Sequence, residues 1–154
     1  MLDQSGDLAE ARIAFLAPAG LDYVTVRHGM WRAGGMAIPL NVAATEAEWA
    51  HCLSSTGVTR VVSIEPYRTQ IQSLCDSLSI EVSGVSDYLM GTISALPELT
   101  PERKAMIIFT SGTTSKPKGV VTTHGNIAAQ ITALVDAWEW QATDVIPLFL
   151  PLHH

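Results

Sequence analysis

Hydrophobic residues follow two alternating patterns along the chain. Short apolar runs bounded by Gly or Pro predict buried strands, and apolar residues three or four positions apart predict helices. Runs of the first kind occupy residues 12–16, 36–42, 58–64, 105–109, 120–122 and 144–150. Helical spacing fills most of the intervals, whereas residues 83–103 contain two glycines and two prolines and are expected to form a long irregular connection. This alternation of strands and helices predicts an α/β fold.

The expected helices carry recognisable start and stop signals. Residues 45–48 have the Thr-x-x-Glu form of a capping box, and Gly57 supplies a stop for the helix that follows. Asp22 and Asn126 are expected to cap two further helices, and Pro66 is expected to open another. The apolar face of the last helix is expected to comprise Ile127, Ile131, Leu134 and Trp138.

Composition predicts a folded domain of ordinary size. The chain has 154 residues, of which 47% are hydrophobic and 16% are charged, as in globular domains with a core. Nine basic and fifteen acidic residues give a net charge of −6, so a nucleic acid is not an expected partner. The four tryptophans, at positions 31, 49, 138 and 140, are expected to lie in the core.

The sequence indicates a reducing compartment and no membrane span. The run at 145–152 contains two prolines and is far shorter than the roughly 18 residues of a spanning helix. The acidic, polar start of the chain is unlike a targeting peptide. Cys52 and Cys75 lie in apolar stretches, which indicates reduced thiols. We therefore expect a cytoplasmic protein, with the mitochondrial matrix as the alternative for a longer parent chain.

The segment at 107–119, IIFTSGTTSKPKG, carries the clearest chemistry. An apolar strand leads into a loop of hydroxyl side chains, two glycines and two lysines. Such a loop suits phosphate, because glycines let backbone N–H groups approach the oxygens while hydroxyls add donors and an ammonium adds charge. A Ser/Thr-rich surface loop without a ligand is the alternative.

This loop does not match the Gly-x-x-x-x-Gly-Lys-[Ser/Thr] nucleotide motif. Counted from Gly112, Pro117 stands where the second glycine belongs, and Gly119 stands where the hydroxyl belongs. The strand expected at 120–122 also speaks against an unrelated phosphate-binding fold in which the loop leads directly into a helix.

The run TSGTTSKPKGV at 110–120 resembles the AMP-binding signature of the adenylate-forming superfamily, which includes acyl-CoA synthetases, luciferases and the adenylation domains of peptide synthetases. Ser115 stands where the family most often has Gly. The resemblance extends to residues 23–41 and to the LPLHH run at 150–154, so it covers nearly the whole chain. It implies that residues 1–154 form part of the large N-terminal AMP-binding domain of such an enzyme, with the C-terminal domain absent.

The resemblance also implies a role for individual residues. The family joins a carboxylate to AMP with release of pyrophosphate, and then passes the acyl group to a thiol, usually that of coenzyme A. The β- and γ-phosphates of ATP would be bound by Thr110, Ser111, Gly112, Thr113, Thr114 and Lys118. Lys118 would also be catalytic, by neutralising the departing pyrophosphate, whereas Lys116 falls at a variable position. His154 would be catalytic by orienting the substrate carboxylate, and its alternative is a core histidine or part of a purification tag.

The implied ligands are ATP, Mg²⁺, coenzyme A and a small carboxylic acid. The run at 106–154 is most similar to the malonyl-CoA synthetase branch, so malonate or methylmalonate is favoured over a monocarboxylic or fatty acid. A non-catalytic module that keeps only the phosphate loop is the alternative. The family's motifs for adenine, ribose and Mg²⁺ have no counterpart here, so the 154-residue piece alone is expected to be inactive. No metal ligands are expected within it, because its histidines lack ligand spacing.

Overall fold

The computed structural model describes residues 6–88, 95–110, 117–147 and 151–152. Within these residues, six strands form one sheet in the order β4-β3-β1-β2-β5-β6. The strands are β1 (Arg12–Leu16), β2 (Met36–Pro39), β3 (Arg60–Ser63), β4 (Glu81–Gly84), β5 (Lys104–Thr110) and β6 (Lys118–Thr123). The helices are α1 (Leu21–Arg32), α2 (Glu46–Thr56), α3 (Tyr67–Ser77) and α4 (His124–Trp138), with a short 3₁₀ helix at Val85–Tyr88.

The order of the strands explains why helices cover both faces of the sheet. The strands β1 to β5 are parallel, and β6 runs antiparallel to β5 at the edge. From β1 the chain adds β2 on one side, and it then crosses β1 to add β3 and β4 on the opposite side of the sheet. Because such crossovers are right-handed, α1 lies on one face, and α2 and α3 lie on the opposite face. The predicted α/β class is confirmed.

Two apolar clusters, one on each face, form the core. On the α1 side, Phe15 packs edge-on against Tyr23, with 4.8 Å between the ring centroids. On the other side, Leu16 and Ile38 of the sheet pack with Leu53 of α2 and residues of α3. Strand β1 contributes to both clusters, so its residues after Arg12 are fully buried. Burial on both faces explains why parallel strands appear in the sequence as unbroken apolar runs.

The capping box at the start of α2 is confirmed. The Thr45 hydroxyl accepts a hydrogen bond from the Glu48 N–H at 3.3 Å, and the Glu48 carboxylate accepts from the Thr45 N–H at 2.7 Å. At the other end, Gly57 has φ of 62°, the left-handed conformation that favours glycine after a helix. Trp49 is buried and donates its indole N–H to the Asn41 carbonyl at 2.8 Å, which fixes the helix against the sheet.

Two predicted caps are wrong, and both errors are local. Helix α1 begins at Leu21 after Gly20, so Asp22 lies in the first turn, where its negative charge still suits the helix dipole. Helix α4 is capped by Thr123 rather than by Asn126. The Asn126 side chain accepts from the Thr123 N–H, and the Thr123 hydroxyl accepts from the Asn126 N–H, each at 3.1 Å.

The strand predictions differ from the structure in three ways. Strand β4 was not predicted, and its last two residues fall in the connection expected to be irregular. Its four residues include few apolar side chains, and what identifies them as a strand is their pairing with β3. The strands predicted at 36–42 and 58–64 are shorter than expected. Residues 144–147 form no strand, since Val145 and Ile146 are 93% and 59% exposed and no described strand pairs with them; residues 148–150 lie outside the described residues.

The apolar face of α4 is not part of the core. Ile131 and Trp138 are 55% and 62% exposed, so the prediction that every tryptophan is a core residue holds for Trp49 but not for Trp138. Trp31 and Trp140 are half-buried. No element among the described residues packs over the face of α4 that carries Ile131 and Trp138.

Arg103, directly before β5, ties two distant segments of the chain to the start of that strand. The Arg103 guanidinium donates to both oxygens of the Asp7 carboxylate, at 2.7 and 2.8 Å, and to the Gly34 carbonyl at 2.9 Å. These bonds hold the pKa of Asp7 down, at about 2. Gly34 has φ of +79°, and a Cβ there would lie 2.2 Å from a carboxylate oxygen of Asp7, so the position requires glycine.

Both cysteines have free thiols, as the sequence indicated. Cys75 is buried and Cys52 is half-buried. Burial raises the pKa of each thiol to about 11. Among the described residues, no helix has the length and apolar character needed to cross a membrane.

Replacing Thr45 with Ala tests the capping box. The Thr45→Ala variant leaves the Glu48 N–H without its acceptor, so we expect the free energy of unfolding to fall by about 1 kcal/mol. Urea unfolding measures this change. Thr59→Ala is the matched control, because the exposed Thr59 hydroxyl makes no hydrogen bond within the described residues. Equal losses in the two variants would contradict a specific capping role.

Candidate phosphate-binding site

The candidate loop joins the two strands of the β5–β6 hairpin. Thr110 and Lys118 form the last pair of the ladder, and residues 111–117 connect them. The Thr110 hydroxyl donates to the Lys118 carbonyl at 3.4 Å, which closes the base of the loop. The loop predicted at 110–119 is therefore shorter, since β5 reaches Thr110 and β6 already includes Lys118 and Gly119.

The structure places two of the predicted site residues. Thr110 and Lys118 are exposed and pair across the ladder at the base of the loop. The other predicted site residues lie outside the described residues: Ser111, Gly112, Thr113, Thr114 and His154. Lys116 and His153 lie outside them as well.

Local packing explains why the chain forms a hairpin here. β-branched side chains pair across the ladder, with Ile107 opposite Val121 and Ile108 opposite Val120. Gly119 stands opposite Phe109, and a Cβ at Gly119 would lie 2.9 Å from the Ile107 side chain and 3.4 Å from the Phe109 ring. The glycine after Lys118 is thus required by the side chains of the neighbouring strand.

The imidazole of His51, on α2, contacts the loop. Its Nε2 lies 2.9 Å from the carbonyl oxygen of Pro117, and its ring lies edge-on to Phe109 with 6.2 Å between centroids. Sequence reasoning missed this residue because His51 belongs to no motif. Its only signal is a position on the flank of an amphipathic helix, which does not say what it faces.

A cleft of about 360 Å³ separates α2 from the hairpin, and His51 reaches across it. Arg12, Ser55 and Thr56 line one side, and the hairpin lines the other. Arg12 and Lys118 give this cleft two cationic side chains, and the described residues that line it include no carboxylate. The positive charge of these two side chains favours a negatively charged ligand in the cleft.

The loop opens at the edge of the sheet where open α/β sheets bind ligands. The carboxyl ends of the five parallel strands share this edge, and crevices there are the usual sites. The segment that contains Leu152 lies at the same edge, since the Tyr23 hydroxyl donates to the Leu152 carbonyl. Strand β2 lies between β1 and β5 in the sheet, so these two strands are about 10 Å apart. His153 and His154 follow Leu152 directly in the sequence.

The described residues do not provide a metal site. Among them, no group of three or more His, Cys, Asp or Glu side chains is close enough to hold an ion. A Mg²⁺ ion that arrives with ATP takes most of its ligands from phosphate oxygens and waters, so it requires no such cluster.

Comparison with known proteins identifies related sequences over the whole chain. A family model described as AMP-binding enzyme matches residues 1–154. The mitochondrial malonate–CoA ligase of Mus musculus is 35% identical over 156 residues, which is 97% of this chain. The mitochondrial malonate–CoA ligase of Homo sapiens is 37% identical over 158 residues. The chain spans 27% of the length of each of these relatives.

Solved structures of similar proteins share the fold. The ATP-bound MatB of Rhodopseudomonas palustris superposes with a TM-score of 0.85 at 26% identity, covering 97% of this chain and 32% of that chain. A malonyl-CoA ligase with methylmalonyl-CoA and AMP bound has a TM-score of 0.76 at 30% identity, covering 93% of this chain and 30% of that chain. The prediction that the chain resembles the N-terminal part of an adenylate-forming enzyme is confirmed.

Burial of the Tyr23 side chain predicts a change in stability at alkaline pH. Burial raises the pKa of Tyr23 from 10.0 to about 12, so its contribution to stability is complete below pH 10 and is lost as the pH rises toward 12. At about pH 11 the wild-type protein should have lost roughly 1.4 kcal/mol of this contribution. The Tyr23→Phe variant should lack this part of the decline in urea-unfolding experiments. Identical pH slopes in the two proteins would contradict the burial of the Tyr23 hydroxyl.

Proposed function

The chain belongs to the AMP-binding enzyme family, and we propose that the protein carrying it activates a carboxylic acid with ATP, first to the acyl-AMP and then to the acyl-CoA. The observation that carries this proposal is the hairpin that brings Thr110 and Lys118 together at the base of the loop, at the carboxyl edge of the sheet. An exposed hydroxyl and an exposed ammonium at that place suit the polyphosphate of ATP.

The proposed chemistry has two steps. A carboxylate oxygen attacks the α-phosphorus of ATP and pyrophosphate leaves; the thiol of coenzyme A then attacks the acyl carbon and AMP leaves. Negative charge shifts onto the departing pyrophosphate in the first step, so donors fixed in advance around it lower the barrier. In this proposal, Thr110 and the loop residues Ser111, Gly112, Thr113 and Thr114 bind the phosphates, and Lys118 neutralises the charge that develops.

ATP and coenzyme A are the proposed co-substrates, and Mg²⁺ is proposed only as the ion that accompanies ATP. Two similar solved structures contain ATP in one case, and methylmalonyl-CoA with AMP in the other. When bound, Mg²⁺ would neutralise phosphate charge. No ligand for it is assigned to the described residues, which hold no suitable cluster.

Malonate or methylmalonate is the proposed acid. The names of the mouse and human relatives specify malonate, and a similar structure was solved with methylmalonyl-CoA. A short dicarboxylate keeps a second negative charge that cannot be buried unpaired, so its pocket requires a cation such as a bidentate Arg. In this proposal His154 orients the reacting carboxylate, and the cation comes from the rest of the protein.

The proposed compartment is reducing, either the cytoplasm or the mitochondrial matrix. Two free cysteines, both at least half-buried, fit a reducing compartment. The matrix is supported by the word mitochondrial in the names of the mouse and human relatives. Nucleic acid is not a proposed partner, because the net charge is −6.

A non-catalytic module that binds ATP through the loop is the second candidate. ATP–pyrophosphate exchange that depends on an added carboxylic acid distinguishes the two, since only the enzyme forms the acyl-AMP reversibly. The full-length protein is expected to catalyse exchange. The 154-residue piece alone is expected not to, because the adenine and ribose motifs of the family have no counterpart in it.

Replacing Lys118 tests whether this lysine, and not Lys116, is the one that contacts the phosphates. In the full-length protein, Lys118→Ala should slow adenylation about ten- to a hundredfold, because a charged hydrogen bond contributes roughly 1.5–3 kcal/mol. Lys116→Ala is the matched control, since it removes the same charge at a variable position of the motif. Pre-steady-state formation of the acyl-AMP measures both. Equal effects would show that the assigned register is wrong.

The acid specificity is tested by comparing kcat/KM for malonate, methylmalonate, acetate and octanoate. We expect malonate or methylmalonate to give the highest value, because a pocket with a cation for the second carboxylate is costly for an alkyl chain. If acetate or octanoate exceeds malonate by about tenfold, a difference of ~1.4 kcal/mol in the barrier, the dicarboxylate proposal is wrong. The adenylation proposal would survive that outcome.

A further inference from the structure

We propose that His51 is a positioning residue that holds the returning limb of the phosphate loop, and so sets the ATP affinity of the site. The inference rests on the proposed function, because it assumes that the loop binds ATP. It starts from the position of the imidazole of His51, which lies against both limbs of the hairpin.

The His51 contact with Pro117 has a defined direction. A backbone carbonyl can only accept, so Nε2 must carry the proton at the observed 2.9 Å. The contact is therefore an N–H donor on α2 that points at the main chain of the loop. The side-chain amide of Gln also carries an N–H donor at a similar distance from the backbone, so Gln could replace His51 as the donor to Pro117.

Among the described residues, the partner of the Pro117 carbonyl is His51. The ladder ends at the pair Thr110 and Lys118, so Pro117 lies one residue beyond it. Proline also has no N–H with which to add a bond of its own. The hydrogen bond from His51 thus extends the restraint of the returning limb past the last ladder pair, directly beside Lys118.

The restraint has a rigid base. Helix α2 is fixed by the capping box at Thr45 and by the buried side chains of Trp49 and Leu53. The ring of His51 also contacts Phe109, on the outgoing limb. One side chain on a rigid helix therefore contacts both limbs, and this limits how far Pro117 can move relative to Phe109.

Because the returning limb is already restrained at Pro117, less conformational entropy is lost when ATP binds. Losing the restraint should weaken binding of ATP and leave binding of the carboxylic acid unaffected, because the contacts that the imidazole of His51 makes among the described residues are with the hairpin. A neutral hydrogen bond of this kind corresponds to roughly a three- to tenfold change. A general loss of folding would instead lower activity toward both substrates and reduce thermal stability.

The test compares two variants of His51 in the full-length protein. His51→Phe keeps a ring beside Phe109 and removes the donor, and His51→Gln keeps a donor. We expect His51→Phe to raise the KM for ATP in pyrophosphate exchange, and the calorimetric Kd for ATP, about three- to tenfold. The KM for the acid should stay constant, and His51→Gln should recover at least half of the ATP affinity.

Ser54→Ala is the matched control, because Ser54 is exposed on the same helix, does not line the cleft, and its hydroxyl makes no hydrogen bond within the described residues. It should match the wild type. A wild-type ATP affinity in His51→Phe, or no recovery in His51→Gln, would overturn the inference.

Failure of the proposed function can be distinguished from failure of this inference. If the wild type binds ATP but catalyses no exchange with any acid, the proposed function fails, and the ratio of the Kd for ATP in each variant to that of the wild type still decides the role of His51. If the wild type binds no ATP, both are overturned.

Discussion

The arrangement of this domain depends on the burial of strand β1 on both of its faces. Ile13 and Phe15 point into the cluster on the α1 side, and Ala14 and Leu16 point into the cluster on the side of α2 and α3. The strand pairs with β2 on one edge and with β3 on the other. The chain therefore adds β2 on one side of β1 and then crosses over β1 to add β3 on the other side. That change of side distributes the helices over both faces, and it leaves the carboxyl ends of the strands open for the loop after β5.

Signals confined to a few neighbouring residues allowed much of this fold to be predicted. The apolar run of β1 and the capping box of Thr45 are decided by side chains within one strand or one helical turn. Strand β4 was missed because its evidence lies in the pairing with β3, which the sequence does not display. The opposite error at Val145 has the same origin, since an apolar run forms a strand only where another strand is available to pair with it.

The residues of the candidate site also differ in whether local sequence or only the assembled fold reveals them. Thr110 and Lys118 stand in one contiguous motif, so they could be recognised without knowledge of the fold. The hydrogen bond from His51 to Pro117 joins residues 66 positions apart, and only the packing of α2 beside the hairpin brings them together. Gly119 is intermediate, because the motif includes it but its physical reason, the ring of Phe109 and the side chain of Ile107, appears only in the assembled sheet.

The two buried thiols have a consequence for the redox behaviour of the protein. With a pKa of about 11, each of Cys52 and Cys75 is ionised at pH 7 in only about one molecule in 10⁴. Only the thiolate attacks disulfides and electrophiles, so both side chains are nearly inert toward oxidised glutathione or alkylating reagents. Neither thiol on this part of the chain is therefore expected to form a mixed disulfide readily with a small-molecule disulfide.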